Sequence, residues 1–163
     1  MIYDKVDTSK ITIGKVNKFK DSEKYLYPIF YNDSELVFTL KNKFFIVDKI
    51  RSNNFGKEYI EIKSLLVNEI LESIIKKLDI KLFNNNGLQR LTINSDTTIK
   101  YDKNLNDLRD KKFKALISFH IPTYYKDKEE SKESLQVYVK ELVIIEVIDL
   151  EIEYDLNKLS LAD

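Results

Sequence analysis

A chain of 163 residues with 27 basic and 27 acidic side chains, 43% hydrophobic residues and no cysteine is long enough for one hydrophobic core and too apolar to be a disordered polyampholyte. The missing cysteines exclude disulfides, thiolate metal sites and cysteine nucleophiles, and they suit a reducing compartment. Residues 1–25 carry charges throughout, and the longest apolar stretch, Leu142–Ile145, is strand-sized, so the sequence offers neither a signal peptide nor a membrane span. One cytoplasmic domain over residues 1–163 is expected, with no membrane partner.

In chain order, Ile11, Ile13 and Val16 alternate with polar residues as an entering strand, in which Gly14 marks a bulge. Tyr25–Tyr31 and Leu36–Leu40 are β-branched or aromatic runs separated by Asn32, Asp33, Ser34 and Glu35, which predicts a hairpin. Phe44–Ile50 follows as a third strand. Asn53, Asn54, Phe55 and Gly56 supply a turn before the alternating strand at Tyr59–Ile62. Ser64 is placed to cap a helix in which Leu66, Ile70, Ile74 and Leu78 repeat every four residues, widened by Leu71 and Ile75 and ending near Asp79. Asn84, Asn85, Asn86 and Gly87 read as a polar turn, Leu91–Tyr101 as a weak strand and Asn104–Asp110 as a loop.

The plainest alternation lies at 113–121. Phe113, Ala115, Ile117, Phe119 and Ile121 face one side, and Lys112, Lys114, Leu116, Ser118 and His120 the other, which predicts a strand with a core face and a basic face. Lys126–Ser134 reads as a charged, flexible loop. Leu135–Tyr154 is nearly continuous β-forming sequence whose end carries Asp149, Glu151, Glu153 and Asp155 on one face. Strands, one helix, then more strands exclude a doubly wound parallel fold and predict a mainly β (α+β) class, specifically an OB-like antiparallel barrel with one main helix.

The zero net charge hides a segregation. Residues 1–57 hold 11 basic against 7 acidic side chains, 58–125 hold 11 against 9, and 126–163 hold 5 against 11. A basic body thus precedes an acidic C-terminal end, 149–163. A short phrase also occurs twice, as Pro28-Ile29-Phe30-Tyr31-Asn32-Asp33 and as Pro122-Thr123-Tyr124-Tyr125-Lys126-Asp127, and it contains the only two prolines. Proline lacks the ladder donor, so each copy is expected at a sheet edge or a bend that turns its rings outward. Exposed rings beside lysines are what unpaired bases need for stacking and phosphate neutralisation. The candidate nucleic-acid contacts are therefore Tyr27, Phe30, Tyr31, Lys41, Lys43, Lys112, Lys114, His120, Tyr124, Tyr125, Lys126, Tyr138 and Lys140.

Catalysis has no recognisable machinery. There is no phosphate-cradling glycine-rich loop, no nucleophile elbow and no metal-ligand spacing around the single histidine, and Glu129 and Glu130 belong to a solvated charged segment. A non-enzymatic protein without a cofactor is expected.

Several of these segments together resemble a known group: the run Tyr27–Asp33, Leu36-Val37-Phe38, Ile75-Lys76-Lys77-Leu78-Asp79, Phe113-Lys114-Ala115-Leu116-Ile117 and the strand from Leu135 to Ile145. They look like single-stranded DNA-binding proteins of nucleo-cytoplasmic large DNA viruses, including the poxvirus type, and of yeast cytoplasmic linear plasmids. The resemblance extends over residues 11–148. It implies an OB-type fold, single-stranded DNA as partner, cooperative coating of replication intermediates and a cytoplasmic setting. The chain departs from that pattern in being short and in lacking a long acidic tail. Replication proteins at the acidic C-terminal end and further copies of the chain are the remaining expected partners. The alternative function is a protein-interaction or virion structural module that assembles through an exposed aromatic edge.

Overall fold

The computed structural model describes residues 1–80, 87–108 and 110–148. Among them the fold is mainly β, with one helix and an open mixed sheet. At its centre lies a long hairpin of β11 (Lys112–Asp127) and β12 (Lys132–Ile148). Its core side follows the alternation in the sequence: Phe113, Ala115, Ile117, Phe119 and Ile121 are all buried. Phe119 sits at the middle of the core, stacked on Phe38 with ring centroids 4.9 Å apart and meeting Phe45 edge-on at 5.7 Å.

The remaining strands line the two edges of this hairpin as interrupted strands. On the β11 edge, β4 (Lys24–Tyr31), β5 (Val37–Thr39) and β6 (Phe45–Val47) pair in succession with residues 123–127, 118–120 and 113–115, all antiparallel. The expected hairpin at 25–40 therefore resolves differently. Asn32 and Asp33 do form a tight turn, both with positive φ and closed by hydrogen bonds between Tyr31 and Ser34. Yet β4 and β5 pair with β11 and not with each other, because the apolar edge of β11 offers both of them a longer ladder. Beyond β5 lies β1 (Ile2–Tyr3), while β2 (Ile11–Ile13) and β3 (Asn17–Lys18) cover the far edge of β4. Gly14 separates β2 from β3, and a side chain there would strike the Phe30 ring, whose Cε2 lies 2.6 Å from the Cβ position.

On the β12 edge, β9 (Leu88–Ile93) and β10 (Thr98–Lys100) run parallel to β12, and β9 continues antiparallel to β8 (Glu58–Lys63) and then β7 (Arg51–Ser52). Three parallel pairings, at β1, β9 and β10, thus stand where an antiparallel barrel was the expectation. The helix, α1 (Leu65–Lys77), is capped as expected, since the Ser64 side chain accepts a hydrogen bond from the Val67 amide. Its buried stripe is Val67, Leu71 and Ile74, one residue round from the stripe that begins at Leu66. Buried Gln89 ties the helix start to β9: its carbonyl accepts from the Ser64 amide, and its Nε2 donates to Asn68 and to the Gly87 carbonyl.

For the prolines the edge alternative fails and the bend alternative holds at Pro122, and the reading of 126–134 needs correction. Neither proline lies at an edge, because β4 is paired on both sides and β11 is central. Pro122 instead occupies a bulge, where the β12 register shifts between His120 and Thr123. The charged segment 126–134 is the tip of the hairpin and not a loose loop. Asp127 is only 2% exposed there because its carboxylate accepts from the amides of Glu129 and Glu130 and from the Tyr125 hydroxyl. The turn expected at Asn84–Asn86 and the acidic strand expected at 149–155 lie outside the described residues. No helix among the described residues is long and apolar enough to cross a membrane.

Candidate functional site

The bulge at Pro122 decides which aromatic side chains are available. Up to Ile121 the odd-numbered residues of β11 face the core; past the two-for-one insertion the alternation reverses, so Tyr124 turns in and Tyr125 turns out. Tyr124 is 8% exposed, and its ring stacks face to face on Tyr27, with centroids 4.5 Å apart and planes 8° from parallel. Burial and then the neighbouring Tyr27 push the Tyr124 hydroxyl above the usual phenol range. This pair, expected as free stacking platforms, is a structural rivet between β4 and β11. Tyr31 also packs against the core. Lys126 pairs with the Glu133 carboxylate at 3.1 Å, and that hydrogen bond holds its ammonium group above the ordinary pKa. Replacing Tyr124 with alanine is expected to cost about 3 kcal/mol of stability. Calorimetry will detect this as a lowered Tm, and a titration with oligo-dT should show unchanged affinity.

The side of the sheet facing away from the core has a different character. Tyr59 on β8, Thr92 on β9, Tyr138 on β12 and His120 on β11 are directly opposed, strand after strand. Opposed residues of neighbouring strands project to the same face, so these four form one row across about 14 Å of sheet. Their neighbours Ile60, Leu91, Val139, Phe119 and Ile121 point the other way and are buried, which fixes the orientation of the row. All four side chains are half-buried. The Arg90 guanidinium lies 4.3 Å from the Tyr59 ring centroid, and a hollow of about 420 Å³ opens between Lys57, Arg90, Gln136 and Tyr138. Burial pushes the His120 imidazole below its ordinary pKa against the pull of Glu35, and Lys140 lowers it further. A neutral ring at pH 7 favours stacking over ion pairing.

A second row on the same face, two residues along β11, runs Tyr3, Thr39, Ser118 and Glu141. Where β5 breaks before β6, residues 40–44 form an excursion carrying Lys41, Lys43 and Phe44. The Lys41 ammonium lies 4.4 Å from the Tyr3 ring centroid, and its backbone amide donates to Asp4. Lys114 lies 4.6 Å from the Phe44 ring, and Lys112 follows on the same strand. Of the thirteen candidates, the structure therefore gathers Lys41, Lys43, Lys112, Lys114, His120 and Tyr138 on or beside one surface. Tyr125 and exposed Phe30 lie on the outward side of the hairpin's far half, with Tyr125 donating to Asp127 and Phe30 resting on Gly14. Lys140 pairs with Glu35 at 3.3 Å. Tyr3, Phe44, Tyr59 and Arg90 were not singled out in the sequence. The only signal for Tyr59 was its place on the polar side of an alternating strand. Among the described residues no group of three or more His, Asp or Glu side chains is arranged to hold a metal ion.

The whole chain, residues 1–163, matches the model of the "Family of unknown function (DUF5482)". The chain belongs to this family. It is 40% identical over 164 residues to the "Uncharacterized killer plasmid pGKl-2 protein 5" of Kluyveromyces lactis, with 99% of each chain covered. No solved structure matches.

Proposed function

We propose that this protein is a non-enzymatic binder of single-stranded DNA that coats replication intermediates in the cytoplasm, with bases lying across the row Tyr59, Tyr138 and His120. The observation that carries this reading is the register of that row: three flat rings on one sheet face, with Arg90 stacked on the first. Stacking on aromatic rings contributes about 1–3 kcal/mol per base and tolerates any sequence. Lys41, Lys43, Lys112 and Lys114 flank the row and supply phosphate contacts without base readout. The sheet is used here as the strand surface of an OB-type fold is used, and we take the domain as OB-like in that sense. A further support is the relative's printed name, which ties that protein to a killer plasmid; a self-replicating DNA element needs its unpaired strands covered. The reading includes self-association along the strand and replication proteins as partners, and it requires no cofactor.

Fluorescence anisotropy with labelled oligo-dT tests it. If four lysines neutralise phosphates, affinity is expected to fall about fiftyfold between roughly 50 and 200 mM salt, and duplex DNA of equal length should bind far more weakly. Equal affinity for the duplex, or no binding at either salt, overturns the reading in favour of a protein-assembly module.

A further inference from the structure

The row of rings dips at its second position. Thr92 stands between Tyr59 and Tyr138 in the register, and its small side chain forms part of the wall of the hollow of about 420 Å³ between β9 and β12. That volume lies within the roughly 300–1,000 Å³ of small-molecule sites and far exceeds the share of about 30 Å³ that one water takes. Two cations reach the hollow from opposite sides. Arg90 lies two residues before Thr92 on β9, and Lys57 lies two residues before Tyr59 on antiparallel β8, level with the residue two beyond Thr92.

The charge of the hollow is one-sided. Among the described residues no Asp or Glu lines it, and neither Lys57 nor Arg90 forms an ion pair. The hollow bounded by Lys49, Arg51, Glu58 and Asp110, by contrast, balances its charges. Glu61, which stands opposite Arg90, is held by Arg51 at 3.2 Å, and Glu58 projects to the other face of β8 with Ile60. With its centre 4.3 Å from the Tyr59 ring centroid, the Arg90 guanidinium keeps its N–H edge available to donate. Gln136 adds a third donor, because its Oε1 already accepts from the Thr123 hydroxyl at 2.5 Å and its NH₂ group remains. The backbone of Lys57 is fixed: its amide donates to the Asn53 side chain and its carbonyl accepts from the Asn53 amide, both at 2.9 Å.

We infer that this hollow binds the phosphomonoester of a nucleotide, with the phosphate on Arg90, Lys57 and Gln136 and the base against the Tyr138 ring. A phosphomonoester carries about −1.5 to −2 charge at pH 7, more than the single charge of a diester inside a strand, and so matches two unpaired cations better. That chemistry has two sources, the phosphorylated end of a single strand and a free mononucleotide. The first source rests on the proposed function, whereas the site itself does not.

Two measurements on the full chain test it. In amide NMR titrations dTMP should shift the signals of Lys57, Arg90, Gln136 and Tyr138, and thymidine should leave them in place. In anisotropy, internally labelled oligo-dT with a terminal phosphate, at the 5′ or the 3′ end, should bind at least about tenfold more tightly than the same strand with hydroxyl ends, through charge-assisted hydrogen bonds. Lys57→Gln combined with Arg90→Gln should abolish the shifts and bring that ratio to one; both side chains are exposed, so an unchanged thermal melt is expected. Preference for the phosphorylated strand assigns the site to strand ends, and a response to dTMP without that preference assigns it to the free nucleotide. A chain that responds to dTMP but binds no oligo-dT keeps the site and loses the proposed function. Oligo-dT binding that ignores terminal phosphate, together with no response to dTMP, overturns the site and leaves the proposed function standing, and so does an effect that survives in the double variant.

Discussion

Alanine at both Tyr59 and Tyr138 is expected to weaken oligo-dT binding by at least about 2 kcal/mol, roughly thirtyfold, while leaving the protein folded. The two rings lie on strands separated only by β9, in one register, with their faces on the side of the sheet opposite the core. Each is half-buried, so its loss opens no internal cavity and Tm should move by only a few degrees. Phenylalanine at both positions keeps the flat surface and should bind as the parent does. The slope of affinity against salt separates stacking from charge: with Lys41, Lys43, Lys112 and Lys114 intact it should be unchanged in the alanine double variant. A double variant that binds as well as the parent would remove the ring row from the interface.

The largest effect on stability is expected from Phe119→Ala. This ring is fully buried, stacked on Phe38 and edge-on to Phe45, and so joins β11 to both interrupted partners on its edge. Deleting it removes about 4 kcal/mol of transfer and packing free energy, equivalent to a fall in Tm on the order of 10 °C for a domain of this size. Phe119→Leu keeps most of the volume and should cost no more than about 1.5 kcal/mol. Urea unfolding measures both, and a loss below about 1 kcal/mol for the alanine variant would show that the site collapses around the gap.

Local chemistry was legible in the sequence, and long-range pairing was not. Ser64 capped the helix, Asn32 and Asp33 made the tight turn, and the 113–121 alternation marked the core face of β11, because each depends on neighbours a few residues away. The exchange of partners was hidden: nothing in 25–47 says that three successive segments will line one edge of a strand about eighty residues later. The bulge at Pro122 had the largest consequence for the site. Proline signalled a disturbance, but one inserted residue inverted every later side chain, and Tyr124 moved from the expected surface to the core. Tyr59 and Arg90 gained meaning only when β8, β9 and β12 came into register, a relation that no single segment encodes.

The position of the bases can be read directly with oligo-dT in which single thymines are replaced by 5-iododeoxyuridine, irradiated in complex with the protein and analysed by mass spectrometry. If unpaired bases lie on the outward face of the sheet, cross-links will concentrate on Tyr59, Tyr138 and His120 and disappear with excess unlabelled oligo-dT. Cross-links concentrated on Tyr25 and the hairpin tip, or none that the competitor removes, would contradict that placement.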